Sequence, residues 1–490
     1  MAKQTKRHRV AVIGGGLGGV AMGTKLKRAG IDTFTIFEAQ SGPGGTWWIN
    51  DYPGCEVDVP SDMYSYSFGT RTWNRTHVRQ PELLEYIQNT IDEQNLRGHF
   101  RFDTQVVSLT WNDDTHVWKV VTDRDEEFEF DVVVSAVGFL SVPKIPTWPG
   151  IDQFERARFH TAEWDHDYDY EGKTVAVVGV GSTAAQVIPT IAPKVKQLYV
   201  FQREPGWVLP KGDRDYSAAE ARRLSNPLVY KIRRYLDFVR FERSQWGGAL
   251  YRTGSAVHRA AERAAREYID STFRDRPDLR DAVTPKYVFS GKRRVLSDDF
   301  YPALLRDNVE LVPTAVDSLT GTGIVDNRGT EREVDLIVTA IGFTASNYLN
   351  TLDVRGRGGL DLHEVWKEGA FAFLGMTVPG FPNLYMLYGP NTNGGAPVTY
   401  FHERQADYVV SDIRRMAREN ISALEVKQVY SDIYNVWLQD RMKGTAWTQA
   451  NNYFSAESGR IVTQWPDGML KYVGLLRILR RLSSAQVRSK

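Results

Sequence analysis

Two glycine-rich turns contain the residues of this chain that most directly suggest chemistry. Each turn follows an apolar run and opens a stretch of helical pattern, and each is followed at the same distance by a charged residue, Glu38 after the first and Arg203 after the second. In a βαβ unit such glycines let the backbone approach a pyrophosphate at a helix N-terminus. The turn residues are Gly14, Gly16 and Gly19 in the first case and Gly179, Gly181, Ser182 and Thr183 in the second.

The opposite charges of Glu38 and Arg203 predict two different nucleotides. A carboxylate at the end of the second strand accepts hydrogen bonds from free ribose hydroxyls, whereas a guanidinium forks onto a 2′-phosphate. The first site is therefore predicted to bind FAD or NAD, and the second to bind NADPH. A single turn of this kind is equally consistent with a tight strand-to-helix connection, but two in matching context favour nucleotide binding.

Composition excludes several other classes of protein. A net charge of +1 over 490 residues provides no field for nucleic acid, and no apolar run reaches the roughly 18 residues of a membrane span. The basic start, residues 3–9, lacks the apolar segment of a secretory signal, so we expect a solvated tail. The single Cys55 cannot form an internal disulfide, which predicts a cytoplasmic location and excludes dithiol-disulfide reductases.

The alternation of strand-like and helical runs predicts an α/β fold with two Rossmann-like dinucleotide-binding domains. A proline-rich linker begins at Pro143, and two similar apolar strands, at 131–139 and 335–343, suggest where the chain crosses between domains. We therefore expect the NADP-binding domain to be inserted in the FAD-binding domain. The predicted boundaries are 1–145 and 335–490 for the FAD-binding domain, 146–215 and 285–334 for the NADP-binding domain, and 216–284 for a helical insert.

Two helical stretches carry basic residues beside apolar ones. In the insert, residues 222–243 are rich in arginine. A helical cap with its arginines on a solvated face is the favoured interpretation, and an interfacial membrane helix is the alternative. The stretch 475–482 near the C-terminus is predicted to be an amphipathic helix that docks on the protein.

An aromatic loop follows the first nucleotide unit. Gly45 and Trp47 are followed by the turn at Tyr52, Pro53 and Gly54, and then by Asp58. Glycine permits close backbone approach to a flat ligand, tryptophan offers a stacking surface, and the turn fixes the carboxylate. Taken alone, a packed aromatic loop with an N-capping aspartate explains these residues as well.

This loop resembles one of two fingerprints of the type I Baeyer-Villiger monooxygenases, which are FAD- and NADPH-dependent flavoproteins related to the flavin-containing monooxygenases. The other fingerprint, FxGxxxHxxxW, is similar to residues 154–164, where His160 and Trp164 are in place but Arg156 stands at the family's glycine. Arginine tolerates positive φ poorly, so this departure bears on the local backbone. The resemblance spans roughly residues 8 to 470.

The resemblance implies a reaction and its participants. NADPH passes a hydride to FAD, the reduced flavin and dioxygen form a C4a-peroxide, and this attacks a small-molecule ketone to give an ester or lactone. Arg293 is then the cation that stabilises the negative charge, and Asp58 orients it. Lys292 is implied as a phosphate ligand for NADPH beside Arg203. The other cofactor-binding residues that the resemblance implies are Gly45, Thr46, Trp47, Asp58, Tyr64 and Val106, with no metal.

Further departures from the family affect individual residues. Glu204 follows Arg203 where the family has a small hydroxyl residue, and its carboxylate is expected to weaken the preference for NADPH over NADH. Glu56 lies close in sequence to Asp58, so two carboxylates stand near one arginine unless Glu56 faces solvent. We interpret His160 as a structural residue at the hinge between the nucleotide domains.

Two other functions stay open at this point. A flavin-containing monooxygenase that oxidises amines or sulfides needs no catalytic arginine, so the presence of Asp58 with Arg293 favours ketone oxidation. A non-catalytic flavoprotein that senses NADPH is the second alternative. The sequence pattern fixes neither the ketone nor the number of subunits.

Overall fold

The computed structural model of the chain describes residues 8–69, 71–344 and 346–488, so residues 3–7 of the expected basic tail lie outside it. The helices are α1 (Leu17–Arg28), α2 (Thr46–Ile49), α3 (Gln80–Glu93), α4 (Ala184–Ile191), α5 (Ala218–Leu224), α6 (Pro227–Gln245), α7 (Ala256–Thr272), α8 (Pro277–Val283), α9 (Phe300–Ala303), α10 (Leu362–Val365), α11 (Val398–Glu419), α12 (Gln428–Met442) and α13 (Met469–Ser483). The strands are β1 (Val10–Ile13), β2 (Phe34–Phe37), β3 (Phe100–Arg101), β4 (Val106–Asn112), β5 (Val117–Thr122), β6 (Glu127–Phe130), β7 (Val132–Ser135), β8 (Ala157–His160), β9 (Thr174–Val178), β10 (Gln197–Phe201), β11 (Val208–Leu209), β12 (Val295–Leu296), β13 (Val309–Val312), β14 (Val316–Leu319), β15 (Gly323–Asp326), β16 (Glu331–Glu333), β17 (Leu336–Thr339), β18 (Asp353–Arg355), β19 (Leu384–Met386), β20 (Ile421–Val426) and β21 (Ser484–Arg488).

The first parallel sheet has the spatial order β19-β7-β1-β2-β3. Strands β1 and β7 consist almost entirely of Val, Ala and Ile and are buried along their whole length, as expected for a parallel sheet that is covered on both faces. A second sheet, β18-β4-β5-β6, packs Leu109 and Trp118 into the core on one side, and α1 with α11 covers the other. This unit positions the first glycine-rich turn, between β1 and α1.

The second parallel sheet has the spatial order β13-β10-β9-β17-β8 and carries the second glycine-rich turn between β9 and α4. The predicted α/β fold with two dinucleotide-binding units is confirmed. The second FAD segment was predicted to start at residue 335. The sheet pairing disagrees with this boundary, because Leu336–Thr339 pairs with β9 on one side and with β8 on the other. This strand has the place in the second sheet that β7 has in the first, so the chain leaves the second unit only after it.

The two crossings between the units run side by side. Pro143 and Phe343 form an antiparallel bridge, and the N–H of Lys144 donates to the carbonyl of Gly342 at 2.9 Å. The similar apolar strands noted in the sequence, β7 and β17, each lead directly into one of these segments. The chain therefore passes from one unit to the other and back through a single paired ribbon.

The insert is helical, with α5 to α8 between the two units, but the expected solvated arginine face is wrong at two positions. Arg234 donates to the carbonyl of Asp62 at 2.6 Å and to Ser65 Oγ at 2.7 Å. Arg233 lies 3.5 Å from the Asp62 carboxylate and also pairs with Asp237. These two arginines hold the insert against the loop between α2 and α3.

The C-terminal helix α13 docks on the first unit as expected. Tyr472 is fully buried, receives a hydrogen bond from Gln405 of α11 at 2.8 Å, and donates to the carbonyl of Leu374 at 2.7 Å. Its N-terminus is capped by Glu242 of the insert, whose carboxylate accepts the N–H of Met469 at 2.8 Å. Within the ranges described, no helix combines the length and the apolar character that a bilayer crossing requires.

Arg156, the departure from the second fingerprint, fits its position without strain. It precedes β8 and does not adopt positive φ. Its guanidinium donates to Asp335 and to Glu333, both at 2.6 Å, and Asp335 in turn accepts the N–H of Thr174 at 2.9 Å. The Arg156 side chain therefore connects the start of the second unit, just before β8, to the residues just before β17, its last strand.

We predict that Arg156→Ala lowers the free energy of unfolding by about 1 kcal/mol, because it removes ion pairs with two carboxylates, and in the pair with Asp335 both side chains are only about one-third exposed. Denaturant unfolding measures this loss. Arg158→Ala, two residues further along and exposed in β8, is the control and is expected to change the stability little. Equal losses in the two variants would contradict the assignment.

Candidate active site

A cavity of about 740 Å³ lies between the two units and the insert. Its wall includes Gly14 and Glu38 of the first unit, Ser182 of the second, Gln245 of the insert, and Trp447 from the C-terminal part of the chain. Pockets of this size at the junction of domains are usual sites for cofactors and small substrates.

The first glycine-rich turn has a backbone that excludes side chains. Gly14 has φ +103°, and a Cβ there would lie 2.7 Å from the carbonyl oxygen of Ala136. A Cβ on Gly19 would lie 1.9 Å from the carbonyl oxygen of Gly14. The turn can therefore keep its close approach to β7, with the N-terminus of α1 directed at the cavity, only with glycine at these positions.

Glu38 lies at the end of β2 beside this turn. The side chain is 5% exposed, and its carboxylate accepts the N–H of Gly15 at 2.6 Å and that of Gln40 at 2.9 Å. Burial raises the pKa of Glu38, although these two N–H groups act in the opposite direction. The predicted ribose ligand is thus fixed next to the glycines and reaches the cavity.

The aromatic loop closes over the first turn. Gly45 has φ +56°, and a Cβ there would lie 2.8 Å from Gly16 Cα, so the two backbones touch. Trp47 packs edge-on against Tyr64, with 5.6 Å between the ring centroids. Of the residues predicted for FAD, all but Gly19 lie in the cavity wall, namely Gly14, Gly16, Glu38, Gly45, Thr46, Trp47, Asp58, Tyr64 and Val106.

The second glycine-rich turn repeats the backbone geometry of the first. Gly179 has φ +121°, and a Cβ there would lie 2.4 Å from the carbonyl oxygen of Ala340, which follows β17 as Ala136 follows β7. Of the predicted NADPH residues, Ser182 and Lys292 line the cavity. The other four, Gly179, Gly181, Thr183 and Arg203, lie outside its wall.

Glu204 pairs with Lys292 rather than pointing away. The Lys292 ammonium donates to the Glu204 carboxylate and lies 5.0 Å from the ring centroid of Tyr287. Arg203 is exposed next to this pair. Lys292 is therefore paired with the residue that directly follows Arg203 in the sequence.

Asp58 and Arg293 form an ion pair in the cavity wall. Asp58 comes from the aromatic loop of the first unit and Arg293 from the segment before β12. Burial would raise the pKa of Asp58, but Arg293 and then Lys211 outweigh it and the pKa is lowered. Asp58 raises the pKa of Arg293 well above its usual range, so both partners are charged. Since 41% of the Arg293 side chain is accessible and it lines the cavity, the cation is available to a ligand there.

Glu56 pairs with a cation other than Arg293. Its carboxylate accepts a hydrogen bond from Lys211 at 2.6 Å, and Lys211 is almost entirely buried. The concern that two carboxylates compete for one arginine therefore does not apply, because each carboxylate has its own cation.

His160 lies at the crossing between the units and outside the cavity wall. Its Nδ1 accepts the N–H of Ala162 at 3.1 Å, and its ring packs edge-on against Phe343 at 5.8 Å. Burial lowers the pKa of His160. These contacts suit the structural role expected of it.

The sequence did not identify the residues on the far side of Arg293. The charge of Arg293 acts on Tyr388, whose pKa is raised by burial, and on Tyr453, which is 39% exposed. Aromatic and aliphatic side chains extend this wall, with polar groups from the insert and the segment after β19. These residues are Phe241, Gln245, Leu250, Tyr251, Asn393, Trp447 and Phe454. They come from segments that are far apart along the chain.

Comparison with known proteins identifies the class of this chain. A family model described as flavin-binding monooxygenase-like matches residues 7–220. The chain is 38% identical over 488 residues to a Baeyer-Villiger monooxygenase of Pseudomonas aeruginosa, which covers 96% of this chain and 90% of that relative. It is also 38% identical over 476 residues to a Baeyer-Villiger monooxygenase of Streptomyces coelicolor, covering 95% and 90%.

Solved structures agree with this class. A steroid monooxygenase bound to NADP superimposes with a TM-score of 0.89 at 29% identity, covering 98% of this chain and 100% of the other. A cyclohexanone monooxygenase from Rhodococcus sp. Phi1 bound to NADP+ gives 0.88 at 28% identity, covering 98% and 99%. The fold is thus that of a flavin-binding monooxygenase. The chain belongs to the Baeyer-Villiger monooxygenases.

The residues at the first turn fit FAD. The glycine backbones of Gly14, Gly16 and Gly45 leave room for a phosphate-bearing ligand, and Glu38 supplies the ribose acceptor. Among the residues described, no cluster of three or more His, Cys, Asp or Glu side chains could hold a metal ion.

We predict that Gly14→Val abolishes FAD retention, because the added side chain would lie against the Ala136 carbonyl in a backbone conformation that valine disfavours. The flavin absorbance per protein after purification measures this. Gly181→Ala is the control, since no atom lies within 4 Å of its added carbon, and it is expected to keep FAD. A fully flavinated Gly14→Val protein would show that the first turn does not hold FAD.

Proposed function

We propose that this chain is an FAD- and NADPH-dependent monooxygenase that inserts one oxygen atom of dioxygen next to a ketone carbonyl, giving an ester or lactone. The observation that carries the proposal is the Asp58–Arg293 ion pair, a permanently charged guanidinium that lines the cavity between the two nucleotide units. Relatives named Baeyer-Villiger monooxygenases support the same reaction.

The two cofactors are assigned to the two turns. FAD is held by the first turn, Glu38 and the aromatic loop, and NADPH by the second turn with Arg203 and Lys292. When bound, FAD takes a hydride from NADPH and activates dioxygen for insertion. Ser182 and Lys292 line the same cavity as Arg293 and the residues assigned to FAD, which supports this assignment.

The role of Arg293 is electrostatic. Oxygen insertion next to a carbonyl develops negative charge on oxygen, and a fixed cation in a water-poor cavity stabilises such charge without reorganising. A guanidinium does not lose its proton, whereas a lysine in such a place can. Asp58 keeps the guanidinium directed at the cavity through a charge-assisted hydrogen bond.

We also propose that the protein works in the reducing cytoplasm. Its single cysteine, Cys55, is buried, and burial raises the pKa of its thiol to about 12, so it is unsuited to redox exchange. Fractionation of cells that produce the tagged protein tests this location.

We predict that Arg203→Ala weakens NADPH binding by about 1.5 to 3 kcal/mol, because it removes a charge-assisted contact to the 2′-phosphate, and leaves NADH binding nearly unchanged. Fluorescence titration of the purified protein measures both affinities. Equal weakening of the two coenzymes would place Arg203 away from the phosphate.

Glu204→Ser is expected to increase the preference for NADPH over NADH, which is the opposite of the effect expected for Arg203→Ala. The substitution releases Lys292 from its ion pair, so the ammonium becomes free to bind the 2′-phosphate. NADPH should bind more tightly relative to NADH. An unchanged ratio of the two affinities would mean that Lys292 does not reach the phosphate.

We predict that Arg293→Ala still retains FAD and oxidises NADPH, because the two nucleotide turns are intact, but forms no detectable ester. Chromatography of the products formed from a mixed ketone panel, with NADPH oxidation followed by absorbance, measures the two activities separately. Asp58→Ala should show a milder loss, since the cation itself remains. Wild-type ester formation in Arg293→Ala would favour a flavin-containing monooxygenase that oxidises amines or sulfides, and binding of NADPH without any turnover in the wild type would favour a sensor.

A further inference from the structure

Lys211 is a buried cation beside the active site, and the assigned chemistry does not use it. Its side chain is 2% exposed, and its ammonium donates to Glu56 Oε1 at 2.6 Å. A buried charge requires a counter-charge. Glu56 supplies it, and Glu56 itself lies in the cavity wall, two residues before Asp58 in the sequence.

Both members of this pair are held by separate parts of the fold. The backbone N–H groups of Lys211, Gly212 and Asp213 all donate to the Asp298 carboxylate, at 2.8, 3.1 and 2.8 Å. This fixes the segment after β11. The carbonyl of Glu56 accepts a hydrogen bond from the side chain of Gln186 at 3.0 Å, which anchors the aromatic loop to α4.

Four charges of alternating sign result. Glu56 pairs with Lys211, and Asp58 pairs with Arg293. The charge of Lys211 also acts on Asp58. The charges of these four side chains sum to zero, and each carboxylate has a cation. Arg75, which is paired with Asp213, also acts on Glu56.

We propose that Lys211 is a positioning residue for the oxygen-insertion reaction. It neutralises Glu56, so that Asp58 is the only carboxylate that directs Arg293 and the net charge of these four side chains stays at zero. The proposal rests on the proposed function, in which Arg293 is the stabilising cation. Direct contact of Lys211 with a cofactor does not explain its placement, since Lys211 is outside the cavity wall and its ammonium is directed at Glu56.

The experiment compares Lys211→Met, Glu56→Gln and the double variant as purified, FAD-loaded proteins. The midpoint reduction potential of the bound flavin, measured by equilibrium reductive titration, reports the local charge independently of turnover. Lys211→Met should lower this potential, because an uncompensated carboxylate disfavours added electrons, and Glu56→Gln should raise it. The double variant should return near the wild-type value.

Ester formation from a ketone panel gives the second readout. We expect Lys211→Met to reduce ester formation by about tenfold, because Lys211 acts on the stabilising cation Arg293 only through neighbouring side chains. The double variant should recover most of this loss. Lys211→Arg, which keeps the charge, should stay near the wild type in both measurements. Lys194→Met is the matched control, because Lys194 pairs with Glu171 at 3.2 Å on the exposed surface and should not affect the flavin.

A flavin potential in Lys211→Met equal to that of the wild type would overturn the proposal, and so would a double variant as impaired as Lys211→Met. If Lys211→Met does not fold, Glu56→Gln decides alone, since an unchanged potential there excludes the charge effect. Absence of ester from every ketone with the wild-type protein would instead refute the proposed function, and the potentials would still show whether Lys211 sets the local charge.

Discussion

The Asp58–Arg293 ion pair is the interaction on which the arrangement of this molecule depends. Each unit supplies one partner, so neither charge is compensated unless the aromatic loop lies against the segment before β12. An unpaired charge in a partly closed cavity is costly, and the pair therefore favours one relative placement of the units. Neighbouring contacts act in the same direction: Tyr52 donates to Gln186 at 2.9 Å, and Gly54 packs so closely against α4 that a Cβ would lie 2.3 Å from Thr190 Oγ1. The same contact that assembles the fold presents the guanidinium to the cavity.

The positive electrostatic groups at this cavity do not depend on a protonated histidine. Arg293 is permanently charged, and the residues Ala396 to Val398, at the start of the 22-residue helix α11, also line the cavity, which directs the positive end of the helix dipole towards it. His402, one turn into α11, is the histidine in this wall, and burial lowers its pKa to about 3, so it is neutral. Stabilisation of negative charge on oxygen therefore requires no proton on the histidine, which agrees with a site in which the cofactor performs the redox chemistry.

The features that the sequence predicted well are those set by local backbone geometry. A glycine that must approach the carbonyl after a neighbouring strand, as Gly14 does with Ala136 and Gly179 with Ala340, can be recognised from the few residues around it.

Contacts between residues that are far apart in the sequence produce no such local pattern. The strand β17 was expected to begin the second FAD segment, yet it completes the second sheet, because its apolar sequence suits either sheet and only β8 and β9 decide its place. Arg233 and Arg234 indicate a basic helix in the sequence. Their contacts with Asp62 could not be predicted, because Asp62 lies far away along the chain. Lys211 and Glu56 are likewise distant, so their pairing could not be inferred from either segment.

The paired crossings connect the shape of the cavity to the placement of the units. Residues 136–142, which lead from β7 into the first crossing, line the cavity, and the bridge between Pro143 and Phe343 ties them to the return crossing. His160 and its contact with Phe343 fix the second unit to the same ribbon. Any rotation of one unit against the other must bend this ribbon, because it contains both chain connections between the sheets. Such a rotation would move the part of the cavity wall formed by residues 136–142, and at the same time it would move Asp58 relative to Arg293. The ribbon and the Asp58–Arg293 pair thus both join the two units at the cavity, the ribbon through backbone hydrogen bonds and the pair through opposite charges.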